Sequence, residues 1–201
     1  MQFAGLFEHQ LFPASFYIDR TPAIIGLYLL YLLTGTLERV TSTFSKKRLD
    51  TVQPKISELW FLVSFYGYIA LIMLSAVEFF LRVQIVNVGL SILGFLIYGF
   101  GVVLRRRAIA DLGGNWNLGT DVKPGHELVI SGAYRFMKHP YYLAVICELI
   151  GASLVANATF TVLLICLTQG PLLIARVKHE EKRLFLNFGE KYTSYSKGKI
   201  L

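Results

Sequence analysis

Charge is scarce in this sequence. Only 16% of its 201 residues are Asp, Glu, Lys or Arg, against about 25% in soluble domains. Acids are the scarcer kind, 13 against 20 basic residues, which leaves a formal net charge of +7. In a soluble chain that excess would raise nucleic acid as a partner. Here the basic residues flank long apolar runs, so the excess points to membrane orientation and anionic lipid, and nucleic acid is not expected. Cysteine is nearly absent: Cys147 and Cys166 both lie inside apolar runs, without metal or redox spacing. They read as two buried thiols, and no metal site is expected. The first residues lack a basic region followed by a clean apolar stretch, so no cleavable signal peptide is expected.

Apolar residues are abundant instead, 54% of the chain, with a mean hydropathy of +0.53. A membrane span needs about 20 mostly apolar residues, and five runs approach that length. They are Pro22 to about Leu37, Glu58 to Phe80, Val83 to Leu104, Pro140 to Asn157 and Thr159 to Ala175. The last is expected to continue as a helix through Arg176 to Phe188. Only Arg82 and its neighbours separate the second and third runs, and only Ala156, Asn157 and Ala158 the fourth and fifth, so both pairs should be helical hairpins. The expected fold is an all-α integral membrane bundle of about five helices, with residues 1–104 as N-terminal helices and 105–201 as a core around a polar loop. With the Lys46-Lys47-Arg48 loop in the cytoplasm, only Arg20 and Arg82 of the 20 lysines and arginines fall on the far side. The positive-inside rule then puts the N-terminus outside, and the loop from Arg105 to His139 and the C-terminus in the cytoplasm.

The polar segments on that face carry the candidate chemistry. RRRAIADLGGNW, from Arg105, reads as a basic helix leaving the third span at headgroup level and stopping at Gly113 and Gly114. The following loop leads to His139, directly before Pro140; proline suits the first helical turn because its missing N–H would be unbonded anyway. By composition alone His139 is an interfacial residue, and Tyr134, Tyr141 and Tyr142 an aromatic belt. Glu148 lies midway along the fourth span, and a carboxylate there faces a cavity or a partner. Gln169-Gly170-Pro171 should kink the fifth span. Beyond it, Arg176 and Glu180 share one helix face at i,i+4 spacing. Phe185, Phe188 and Tyr192 would pack this helix onto the bundle, and Gly189 would end it.

Two of these segments, GHELVISGAYRFMKHPYY and RVKHEEKRLFLNFGEKYTSY, resemble the C-terminal core of the isoprenylcysteine carboxyl methyltransferase family in order and spacing. The resemblance runs from about Arg105 to Tyr195 and includes the LGGNW before the loop. It implies a small helical bundle with an S-adenosylmethionine site on the cytoplasmic side and S-adenosylhomocysteine as product. It implies that His126, Glu127, Leu128 and Val129 hold the adenosine portion, largely through backbone groups. Tyr134, His139, Pro140 and Tyr142 would line the pocket, Glu180 would contact polar groups of the cofactor, and Arg176 would face the substrate. Lys138 stands where the family usually has Arg before His-Pro, keeping charge but losing the bidentate fork, and Ala144 stands where many members have Gly.

A methyl acceptor that enters from lipid would be a lipophilic small molecule or a lipid. A carboxylate acceptor needs no base and could be oriented by Arg176; a hydroxyl or amine needs one, for which Glu148 and His139 are the candidates. Two other classes stay open at this point. One is an NADPH-dependent membrane reductase of the sterol-reductase type, whose core has a similar His-Pro. The other is a bundle of this shape without catalysis, which the intact set of Arg176, Glu180, His139 and Tyr142 argues against.

Overall fold

A computed structural model describes residues 13–43, 59–116 and 127–199, and these are overwhelmingly helical. Helix α1 spans Pro22–Thr43, α2 Leu59–Leu81, α3 Val88–Leu112 and α4 Pro140–Val155. The next rod is built in three pieces: α5 at Thr159–Leu164, a π-helical turn at Ile165–Gln169, and α6 at Gly170–Phe188. A short α7, Glu190–Ser196, follows. Among the described residues sheet is confined to β1, Tyr17–Asp19, paired antiparallel with β2, Ile85–Asn87.

Among the described residues four stretches are long and apolar enough to cross a membrane: Pro22–Ser42, Leu62–Leu81, Val88–Asn115 and Thr159–Phe188. The all-helical membrane class is therefore as expected, but the count is not. Helix α4 has 16 residues, about 24 Å at 1.5 Å per residue, and falls short of a full span. A second difference lies between α2 and α3. The expected tight hairpin is a turn followed by β2, so α3 starts at Val88, capped by the Asn87 side chain on Leu90 N–H at 3.0 Å. A polar cap displaces the apolar start at Val83 because the first helical N–H groups need an acceptor. The hairpin at Ala156, Asn157 and Ala158 is present, with Asn157 at φ 55 making the reversal.

Helices α3 and α4 form the most extensive helix pair among the described residues. Glycine permits it. A Cβ on Gly151 would lie 2.5 Å from Tyr98 N and 2.7 Å from Gly94 O, and one on Gly101 2.9 Å from Ala144 O. Gly94 thus meets Gly151, and Gly101 meets Ala144, at seven-residue spacing on antiparallel helices. Lipid offers no hydrophobic drive between helices, so close backbone approach through small residues supplies the packing. Gly151→Leu is expected to lose the folded protein in detergent, seen as a collapsed monodisperse peak in gel filtration, whereas Gly99→Leu, with open space around it, should behave as wild type.

The end of the bundle away from His139 is closed by polar caps. Glu78 on α2 accepts from Phe160 N–H at 3.0 Å, Thr161 N–H at 2.8 Å and the Thr161 hydroxyl at 2.7 Å, so it caps α5 across the bundle. Arg20 donates to the Phe79 and Phe80 carbonyls at the end of α2. Midway along the last rod, the expected distortion before Pro171 is the π-helical turn. It turns the buried Gln169 toward α2, where its amide donates to Ser64 O at 3.3 Å. The two thiols are free, but Cys166 is exposed on the flank of that turn and not buried as expected.

Candidate active site

The site is built where α3 ends, α4 begins and α6 passes. Gly113, at φ 51, ends α3. The chain returns at Glu127 through an extended run to the 3₁₀ turn Gly132–Arg135. Asp111 at the end of α3 accepts from Ala133 N–H at 2.7 Å and fastens that turn to the helix. Gly132, at φ 60, sits against the Asp111 carboxylate, where a Cβ would collide with it. His139 then immediately precedes α4, with Pro140 in the first turn as expected.

Three side chains converge on the Tyr142 ring. The Tyr142 hydroxyl donates to Glu180 on α6 at 2.5 Å. The Arg176 guanidinium, one turn earlier, lies 5.3 Å from the ring centroid. The buried His139 ring lies 5.7 Å away on the near side. The i,i+4 pair on α6 thus closes on one tyrosine of α4. Lys138 donates to Glu181 at 2.6 Å, tying the turn before α4 to α6. Behind this, the Tyr195 hydroxyl and the Lys199 ammonium donate to the Tyr134 carbonyl at 2.7 and 2.9 Å. Burial pushes the Tyr134 hydroxyl far above the usual phenol range, with the negative charge of Glu180 adding to it. Burial also moves Tyr195 up to about 12. Both stay protonated across the physiological range and act as donors or walls, not bases.

Of the residues singled out in the sequence, Tyr134, His139, Pro140, Tyr142, Arg176 and Glu180 lie around this point. Glu127, Leu128 and Val129 lead into its turn, and Val129 and Leu128 are half-buried. His126 lies outside the described residues. Tyr192 is buried as expected, but Phe185 is 54% exposed and does not pack the helix onto the bundle.

Glu148 occupies a different setting. One carboxylate oxygen accepts from Arg105 Nε at 2.6 Å and the other pairs with Arg39 of α1. Arg105 also pairs with Glu38 and bonds Ser42, and Arg106 reaches Glu38 at 2.7 Å. Arg105 is 0% exposed, so the headgroup reading of the basic run fails for it; Arg106 is 59% exposed. With both oxygens engaged, Glu148 can take a substrate proton only by giving up an ion pair. The cluster ties α1, α3 and α4 together, and a buried carboxylate mid-helix demanded such cationic partners. Missed in the sequence were Arg39, Glu38 and Asp111. The Glu38-Arg39 pair at the end of an apolar run was the available signal for the first two; Asp111 offered none. Among the described residues no group of three His, Cys, Asp or Glu is placed to hold a metal ion.

The donor set around Tyr142 suits a cationic, polar cofactor. Glu180 could accept from an ammonium or from hydroxyls, and the Tyr142 ring could offer a face to a cation.

Comparison with known proteins bears on the same stretch. Residues 92–186 match the model of the isoprenylcysteine carboxyl methyltransferase family. The uncharacterized protein YpbQ of Bacillus subtilis is 39% identical over 82 residues, 41% of this chain and 49% of that protein. The protein-S-isoprenylcysteine O-methyltransferase of Xenopus laevis is 31% identical over 110 residues, 54% of this chain and 38% of that enzyme. Its Homo sapiens counterpart is 32% identical over 110 residues, 54% and 39% of the respective lengths. The chain thus spans between 38% and 49% of the length of these relatives.

Proposed function

We propose that the chain is a membrane methyltransferase that takes its methyl group from S-adenosylmethionine, a reading supported by the match of residues 92–186 to the model of the isoprenylcysteine carboxyl methyltransferase family. The observation that carries the reading is the meeting of Glu180, Arg176 and His139 on the Tyr142 ring, inside the family-matched segment. Bound at this site, S-adenosylmethionine would supply a methyl group already activated by its sulfonium.

The protein's own task is then alignment and exclusion of water. Glu180 and Tyr142 would hold polar groups of the cofactor from α6 and α4, His139 and Tyr134 would wall the pocket, and Glu127 to Val129, with His126 before them, would offer backbone groups to the adenosine. Arg176 would orient a carboxylate acceptor through its planar fork. In such a transfer the acceptor oxygen would bond to the methyl carbon as the carbon–sulfur bond breaks, and S-adenosylhomocysteine would be the leaving product. For a hydroxyl or amine acceptor, His139 is the stronger candidate base, since Glu148 is held between two guanidiniums. The acceptor is a lipophilic small molecule or lipid entering from the bilayer. The basic segments, and with them the site and the C-terminus, face the cytoplasm. The test is transfer of label from [methyl-³H] S-adenosylmethionine into the organic phase of a membrane lipid extract incubated with purified protein. Label above that of a Glu180→Ala control supports the reading; none with any extract fraction or prenylcysteine analogue counts against it.

The reductase reading has no comparable support in this geometry. The basic cluster that a 2′-phosphate would need loses Arg105 to its buried ion pairs.

A further inference from the structure

Arg39 stands outside the family-matched segment, on α1, and nothing in the proposed transfer uses it. A guanidinium carries five N–H donors; among the described residues Arg39 directs one nitrogen to a hydrogen-bond acceptor, the Glu148 carboxylate. Its plane is fixed from one side by the Tyr68 ring, 3.8 Å from the centroid. The side chain nonetheless keeps 18% of its surface exposed. It is clamped on two sides and open on a third. Helix α1 carries most of its surface on the outside of the bundle, with 6% of its apolar window buried, and Arg39 and Tyr68 meet where it passes α2.

A cation at the edge of an apolar medium calls for an anion, and a planar guanidinium with a free edge takes carboxylate or phosphate oxygens two at a time. We propose that the free edge of Arg39 is a bidentate seat for the anionic headgroup of a membrane-embedded amphiphile, a carboxylate or a phosphate monoester, at the seam between α1 and α2. Glu148 and Tyr68 hold the guanidinium in place. The seat is separate from Arg176. Tyr141 stands between them in the chain of contacts, an electrostatic neighbour of Arg39 whose ring lies 5.9 Å from that of Tyr142. It does not depend on methyl transfer.

The test uses the full chain in uncharged maltoside micelles, titrated with palmitate and with phosphatidic acid, beside hexadecanol, acetate and inorganic phosphate. Thermal midpoint and S-adenosylhomocysteine binding are read on the same samples. Palmitate or phosphatidic acid should bind the wild type, and Arg39→Gln should weaken that binding about tenfold or more, with S-adenosylhomocysteine binding unchanged. Which of the two amphiphiles binds more tightly identifies the source of the anion. If Arg39→Gln does not fold, Arg39→Lys carries the test: charge without the fork should bind about fivefold more weakly. Three results would overturn the seat: either variant binding within about twofold of wild type, hexadecanol binding as well as palmitate, or free acetate or phosphate competing at the same concentration as the amphiphiles. Loss of S-adenosylhomocysteine binding in the wild type, with the amphiphile result intact, strikes at the methyltransferase reading and leaves this site standing.

Discussion

Replacing Glu148 by leucine is expected to cost about 3–5 kcal/mol of stability, the usual penalty for leaving a buried charge without its partner. Arg105 has no exposed surface and would keep Glu38 but lose the carboxylate on its Nε; Arg39 would lose its hydrogen-bonded acid altogether. One substitution thereby removes the acceptor of two cations at once. The measurement is chemical or thermal unfolding in mild detergent. A coupling test sharpens it: Arg105→Met combined with Glu148→Leu should cost clearly less than the sum of the two single changes. Additive losses would mean that the two side chains do not stabilise each other, and the cluster would not be the tie between α1, α3 and α4.

The second large effect concerns ligand affinity. Glu180→Ala is expected to weaken S-adenosylhomocysteine binding by roughly 10- to 150-fold, the worth of a hydrogen bond to a charged group at about 1.5–3 kcal/mol. It should leave the thermal midpoint nearly unchanged, because Glu180 is half-buried at the edge of the bundle. Tyr142→Phe keeps the ring beneath Arg176 but loses the 2.5 Å bond to Glu180, and a smaller loss, about fivefold, is expected. Calorimetry on both variants orders them. Wild-type affinity in Glu180→Ala would remove that residue from the site.

The helices were legible from hydropathy alone because apolar runs of the right length leave few other structures open in lipid. The family resemblance, read from spacing around His139 and Glu180 over about Arg105 to Tyr195, overlaps the matched segment 92–186 but misses its start and overruns its end. What escaped was side-chain pairing at long separation. Arg105 was read at the headgroups because a run of three arginines after an apolar helix is ordinary; its partner Glu148 lies 43 residues on, and no local rule joins them. The convergence of His139, Arg176 and Glu180 on Tyr142 needed the fold for the same reason. The start of α3 was misplaced by five residues, from Val83 to Val88, because hydropathy does not see a capping asparagine. The pairing of Gly94 with Gly151 was equally hidden, since each glycine looks like any other in a tolerant apolar helix.

One measurement bears most directly on the central claim: calorimetric titration of the detergent-purified chain with S-adenosylhomocysteine, with NADPH in parallel. The methyltransferase reading predicts saturable binding of S-adenosylhomocysteine, weakened in Glu180→Ala, and no heat from NADPH. Binding of NADPH alone, or of neither by a folded protein, would contradict it.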